Sequence, residues 1–219
     1  MKRRNFIFDI FSIGLMSSIS TRLKANNLNF SPMVRSISTW KTTEANYKAG
    51  SLLDNGTDAL NAAVIGVAVE EENPKNTTVG YGGAPDRSGN VTLDACVMNH
   101  LGDCGSVVAV ENITNVARLA KDVMEKTPHV MLAGKGAEEF AISEGYKKID
   151  LLTETSKKDW EKWLENEEYM PIINIENHDT IGMLCLDKNN NMSGACTTSG
   201  LAYKMKGRIG DSPLSLIHI

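Results

Sequence analysis

Residues 172–200, IINIENHDTIGMLCLDKNNNMSGACTTSG, decide how this chain is read. Two apolar, small-residue runs flank an asparagine-rich stretch, the pattern of two strands joined by a turn. With the turn centred anywhere from Asn189 to Asn190, antiparallel pairing sets Thr180 opposite a position between 198 and 200. Thr180 and Thr198 then become neighbours on adjacent strands. Facing residues have Cα atoms about 4.5–5.5 Å apart, close enough for two hydroxyls to share one site. Threonines also pair across strands purely for packing, and pairing alone favours that plainer reading.

The step Asn177–His178–Asp179, leading straight into a buried-looking strand, changes the weighting. In a strained turn, a threonine hydroxyl can attack the carbonyl that precedes it and turn the amide into an ester that water cleaves. A chain cut between Asp179 and Thr180 begins at Thr180. Its free α-amine, with a reference pKa of about 7.7–8, can act as base for its own hydroxyl, so one residue supplies both nucleophile and base.

Outward from the hairpin, SISTW (36–40) reads as a short strand, and 43–53 and 57–72 as helices. Thr57 is the expected cap of the second, with Leu60, Ala63, Val64, Val67 and Ala68 at helical spacing. VGYGGAPDRSGN (79–90) is a loop. It fails the dinucleotide fingerprint, because Pro85 stands where the third glycine belongs. Residues 91–98 and 105–113 read as a second hairpin, followed by helices at 114–126 and 136–145 around the apolar HVMLAG. In KKDWEKWLENEE (157–168), Trp160, Trp163 and Leu164 share one face, so this helix should lie on the body through its tryptophans.

The chain has 219 residues, 42% hydrophobic and 23% charged, which suits an ordinary globular domain that needs no staples. A net charge of -4 leaves no basic surplus for a nucleic-acid partner. The four cysteines form no CxxC pair and the four histidines no HExxH cluster, so neither metal nor cofactor is expected. Disulfides are permitted by the cysteine count but not required. Residues 1–25 carry a basic start (Lys2, Arg3, Arg4), an apolar stretch from Phe6 to Ile19 and then small and polar residues, the layout of a secretory signal peptide. Arg3 and Arg4 also fit a twin-arginine signal. The expectation is a periplasmic or secreted protein with no membrane association after export. Residues 1–30 would form the leader and a polar lead, and 31–219 the working domain.

Residues 79–99 (VGYGGAPDRSGNVTLDACVMN), 126–132 (KTPHVML), 172–186 (IINIENHDTIGMLCL) and 194–213 (GACTTSGLAYKMKGRIGDSP) closely resemble bacterial glycosylasparaginase, also called aspartylglucosaminidase. The resemblance runs from about Ser36 to Pro213. It implies an α+β fold, the four-layer αββα sandwich of the N-terminal-nucleophile (Ntn) hydrolases. It also implies a precursor that cuts itself into an α chain (31–179) and a β chain starting at Thr180 (180–219). The implied activity is hydrolysis of the amide between N-acetylglucosamine and the asparagine side chain, by a dimer of such α and β chains.

Carried over by position, the resemblance makes Thr180 the nucleophile and Thr198 a hydroxyl that adjusts its reactivity, while Asp179 assists the self-cleavage. Arg208 would clamp the α-carboxylate of the asparagine moiety, as suits a planar bidentate donor. Asp211 would bind the α-ammonium group, Trp40 would line the site, and His178 would support it. Beyond Pro213 the residues Leu214–Ile219 depart from the family pattern, which leads to the expectation of a truncated chain with little activity. The neighbouring enzyme reading is an isoaspartyl peptidase or L-asparaginase, against which VGYGGAPDRSGNVTLDA and Trp40 weigh. A non-catalytic fragment is the reading from a different class.

Overall fold

A computed structural model describes residues 33–165 and 180–214. The signal-peptide reading, His178 and Asp179, and the end of the tail lie outside the described residues. Within them the chain is a mixed α+β structure with a six-stranded sheet in the order β1-β5-β6-β2-β3-β4. The strands are β1 (Arg35–Ser38), β2 (Leu93–Met98), β3 (Cys104–Val110), β4 (Met131–Ala133), β5 (Ile181–Leu186) and β6 (Met192–Thr198). The helices are α1 (Thr43–Asp54), α2 (Ala59–Glu71), α3 (Val116–Lys126), α4 (Gly134–Ser143) and α5 (Glu154–Glu165). All neighbouring strands are antiparallel except β3 and β4.

The expected hairpin forms with Ile181 opposite Thr197, so Thr180 stands across from Thr198 one step beyond the last paired rung. Its turn is built by Asp187, whose carboxylate accepts the N–H groups of Asn189 (2.8 Å) and Asn191 (3.0 Å). Asn190 takes the left-handed conformation, φ 59°, that asparagine tolerates in turns.

Two sequence expectations need correction. The cap of α2 is Asp58 rather than Thr57: its carboxylate accepts the N–H of Asn61 at 2.9 Å, three residues on. The apolar HVMLAG holds a strand, β4, which adds to β3 in parallel. Three residues are too few to show a period, so only the neighbouring strand reveals it. In addition, α2 is buried nearly all round, including Ala62, Gly66 and Glu71 beside the anticipated face, because it lies against α1 and the sheet together.

One face of the sheet is covered by helices. Leu93, Ala95 and Val97 of β2, Val107 of β3 and Ile181, Met183 and Cys185 of β5 share a core with Ala63 and Val67 of α2 and Leu119, Ala120 and Val123 of α3. Residues one position out of phase turn to the other face. There Cys96 donates its thiol hydrogen to the Ser212 carbonyl (2.9 Å) and Ser106 its hydroxyl to the Pro213 carbonyl (2.9 Å). The segment 199–214 therefore lies across the middle of that second face. It is tied to the glycine-rich loop by Tyr203 N–H to the Pro85 carbonyl (2.9 Å) and Arg87 N–H to the Lys204 carbonyl (3.0 Å). Helix α5 rests on both as the tryptophan pattern predicts: Trp160 covers Gly89, and Trp163 stacks on Tyr203 with ring centroids 4.8 Å apart.

Gly80 is the tightest point of the loop. It has φ 64°, and a Cβ there would fall 2.1 Å from the Glu71 carbonyl oxygen, so both the dihedral and the space demand glycine. Gly80→Ala is expected to lower the unfolding free energy by more than about 3 kcal/mol. Urea denaturation measures it, and an unshifted midpoint would refute the packing described.

Candidate active site

Thr180 is half-buried at the head of β5. The pleat turns Ile181 to the helices and Thr180 to the other face. Across the sheet the same face carries Thr198 on β6 and then Asp94 on β2, which is the direct partner of Thr198. Three adjacent strands thus present a row of hydroxyl, hydroxyl and carboxylate.

Both polar atoms of Thr180 beyond its amide are held. Its carbonyl accepts the Thr39 hydroxyl (2.9 Å), and the same Thr39 oxygen accepts the N–H of Gly182 (3.0 Å). Its own hydroxyl lies 3.2 Å from that of Ser212. Thr198 is buried, and its hydroxyl accepts the N–H of Gly200 at 2.9 Å.

Asp94 owes its aim to a β-bulge. Leu93 pairs with Val110 and Ala95 with Val107, leaving Val108 and Ala109 against Asp94 alone. Ala109 is pushed to φ 50°, and its N–H is captured by the Asp94 carboxylate at 2.7 Å. The other carboxylate oxygen is buried with no hydrogen-bond partner among the described residues. Burial raises the Asp94 pKa, against the pull of the Lys204 and Arg208 charges and the Ala109 N–H. Lys204, also buried, donates to the carbonyls of Ser199 (2.8 Å) and Thr92 (3.3 Å). Burial lowers its pKa, partly offset by Asp94 and reinforced by Arg208. For both groups desolvation outweighs mutual attraction, so this cluster costs stability rather than supplying it.

Arg208 is half-buried beside this cluster and Asp211 is exposed three residues on. Trp40 is 65% exposed, sits just past β1 at φ 59°, and lines a cavity of about 220 Å³ with Thr42, Asn76, Thr78 and Ile181. A positive φ on so bulky a residue is a strained conformation, and the Thr39 and Thr42 hydroxyls beside it brace the turn. Among the described residues no group of histidine, cysteine and acidic side chains is arranged to hold a metal.

Beneath the row, Thr197 points the opposite way and donates its hydroxyl to the fully buried Glu71 at 2.7 Å. Glu71 also accepts the N–H of Ala117 at the start of α3 (2.9 Å), so one carboxylate joins α2, β6 and α3. Sequence reading missed Glu71, Asp94, Lys204, Thr39 and Ser212. Asp94 alone gave a signal, a single acid inside the apolar run VTLDACV.

Comparisons with known proteins give the family. A sequence model of the family described as Asparaginase matches residues 24–215. The chain belongs to the asparaginase family. It is 56% identical over 179 residues to the N(4)-(β-N-acetylglucosaminyl)-L-asparaginase of Elizabethkingia miricola, covering 81% of this chain and 53% of that protein. A putative N(4)-(β-N-acetylglucosaminyl)-L-asparaginase of Drosophila grimshawi is 36% identical over 223 residues, covering 84% and 56%. The Rattus norvegicus N(4)-(β-N-acetylglucosaminyl)-L-asparaginase is 32% identical over 214 residues, covering 84% and 62%. The chain thus spans a little over half the length of the asparaginase-family relatives it matches.

Burial raises the Glu71 pKa from 4.5 to about 7, against the Thr197 and Ala117 hydrogen bonds that favour its charge. Between those values the folded chain holds a proton that the unfolded chain has lost. The stabilisation is complete below the unfolded value and is lost as pH rises through about 7, a change of about 3 kcal/mol. Glu71→Gln, neutral at every pH, should flatten this fall. Urea unfolding of both proteins at about pH 4.5 and about pH 8 tests it, and an equal fall in both would exclude Glu71 as its source.

Proposed function

We propose that this chain carries the nucleophile of an amidohydrolase that releases aspartate from N-acetylglucosaminyl-asparagine after cutting itself before Thr180. The observation that carries the reading is the placement of Thr180. It heads a strand with its hydroxyl on the sheet face away from the helices, in one row with Thr198 and Asp94, beside the cationic cluster of Lys204 and Arg208.

In the first stage the Thr180 oxygen bonds to the carbonyl carbon of Asp179, the C–N bond to Thr180 breaks, and the hydroxyl proton ends on the freed nitrogen. Water then adds to the ester, releasing the Asp179 carboxylate and restoring the Thr180 hydroxyl. The new amine serves as base for the second stage. Thr180 attacks the side-chain amide of the substrate, glycosylamine leaves, and water frees aspartate from the acyl-enzyme. Arg208 takes the α-carboxylate and Asp211 the α-ammonium, an arrangement complementary to the two charges every amino acid carries. Trp40 supplies an apolar wall on the side of the Thr78 cavity.

In this reading the sheet is one of two facing sheets of the four-layer αββα sandwich. The exposure of Ile37 and Leu184, paired neighbours on β1 and β5, supports it. Residues 1–25 direct export to the periplasm or beyond, and the working unit is a dimer of paired α and β chains.

Intact-mass measurement of the full protein should find two chains separated between Asp179 and Thr180, with Thr180→Ala left whole. A cut elsewhere, or a cut Ala variant, would end the proposal. Arg208→Lys keeps the charge but loses the two parallel donors, so KM for N-acetylglucosaminyl-asparagine should rise by about tenfold or more. An unchanged KM would remove Arg208 from the site.

A further inference from the structure

Before the cut, the nitrogen of Thr180 belongs to a peptide bond and cannot act as a base. Whatever orients the hydroxyl at that stage must come from elsewhere in the chain. Among the described residues its hydrogen-bond partner is Ser212, with the two oxygens 3.2 Å apart. We propose that Ser212 is a positioning residue for the self-cleavage step, its hydroxyl accepting the Thr180 O–H and so fixing the direction in which the Thr180 oxygen presents its lone pairs for attack. The inference rests on the self-cleavage reading above.

Ser212 is built to hold this place. It is 3% exposed, and its carbonyl is anchored on β2 by the Cys96 thiol (2.9 Å). The next carbonyl, Pro213, is anchored on β3 by Ser106 (2.9 Å). A turn closed by Leu214 N–H to the Asp211 carbonyl (2.8 Å) encloses it. On the far side Thr39 grips the carbonyl of Thr180. With its carbonyl tied to the β1 side and its hydroxyl to Ser212, Thr180 has its backbone and its χ1 set together, and a β-branched residue has few rotamers to begin with. Holding reacting atoms in an attack geometry is where rate is gained at this stage.

The proton balance is unchanged by Ser212. The Thr180 proton still ends on the departing nitrogen, and Ser212 is a hydroxyl before and after. Once the cut is made, the amine of Thr180 stands beside its own hydroxyl and takes over the orienting role. Ser212 therefore matters for maturation more than for turnover, a split that a residue needed only for folding does not produce.

The test follows the full chain through cell-free synthesis with pulse labelling, measuring the cut by intact mass over time. Ser212→Ala is expected to slow it by about ten- to a hundredfold, and Ser212→Thr, which keeps the hydroxyl, to recover most of the rate. Ser106→Ala removes a neighbouring anchor of the same segment and should cut at nearly the parent rate. After complete cutting, Ser212→Ala should lose a much smaller factor in kcat for N-acetylglucosaminyl-asparagine than it loses in the rate of the cut. Parent-like cutting by Ser212→Ala overturns the proposal. So do equal slowing by Ser106→Ala and an equal loss of maturation and turnover. A parent chain that never cuts overturns the self-cleavage reading itself, and Ser212 with it.

Discussion

The Asp187 carboxylate sets the register on which everything else in this molecule depends. By accepting the N–H groups of Asn189 and Asn191 it closes the β5–β6 turn, and its second oxygen meets the N–H of Ala59 at the start of α2 (3.3 Å). The hairpin is thus joined to the helix beneath it. Side chains alternate with a period of two, so a slip of one residue would send Thr180 and Thr198 into the helix layer and bring Ile181 and Thr197 to the opposite face. The apolar burial of Ile181, Met183 and Cys185 opposes such a slip from one side, and the turn opposes it from the end.

Strand β6 then stands between two buried acids. Thr197 reaches down to Glu71 and Thr198 stands up beside Asp94. Neither acid is comfortable: each has one oxygen without a hydrogen-bond partner among the described residues, and burial raises the pKa of both. Their structural uses differ. Glu71 ties three elements behind the sheet, while Asp94 draws a bulge out of β3 and faces two cations. A core made for stability alone would do better with apolar groups in these places. Perturbed groups gather around functional sites, and of the two acids it is Asp94 that stands in the row with Thr180 and Thr198.

The segment 199–214 has no helix or strand of its own, yet it carries Lys204, Arg208, Asp211 and Ser212. It is held from all sides: the glycine-rich loop pairs with it, α5 stacks a tryptophan on it, and β2 and β3 catch its end. A loop gains the precision of a scaffold when its carbonyls are satisfied by rigid neighbours. Gly83 belongs to this fit, since a Cβ there would fall 2.6 Å from the Cβ of Ser199.

Local patterns in the sequence were enough for the hairpin, the pairing of Thr180 with Thr198, the glycine-rich loop and the tryptophan face of α5, because each depends on residues near one another in the chain. The family was legible for the same reason, since HDTIGM, GACTTSG and GRIGDSP are contiguous strings. Thr57 gave way to Asp58 as the helix cap, and β4 was hidden, because geometry at one N–H and pairing with a distant strand settle such matters. Only the tertiary structure brought Ser212 to Thr180, Asp94 to Lys204 and Arg208, and Glu71 to Thr197. The partners in these pairs are separated by between 32 and 126 positions where a bond joins them. No periodicity encodes a meeting at that distance: it follows from strand order, from the bulge at Ala109, and from the face to which each pleat turns.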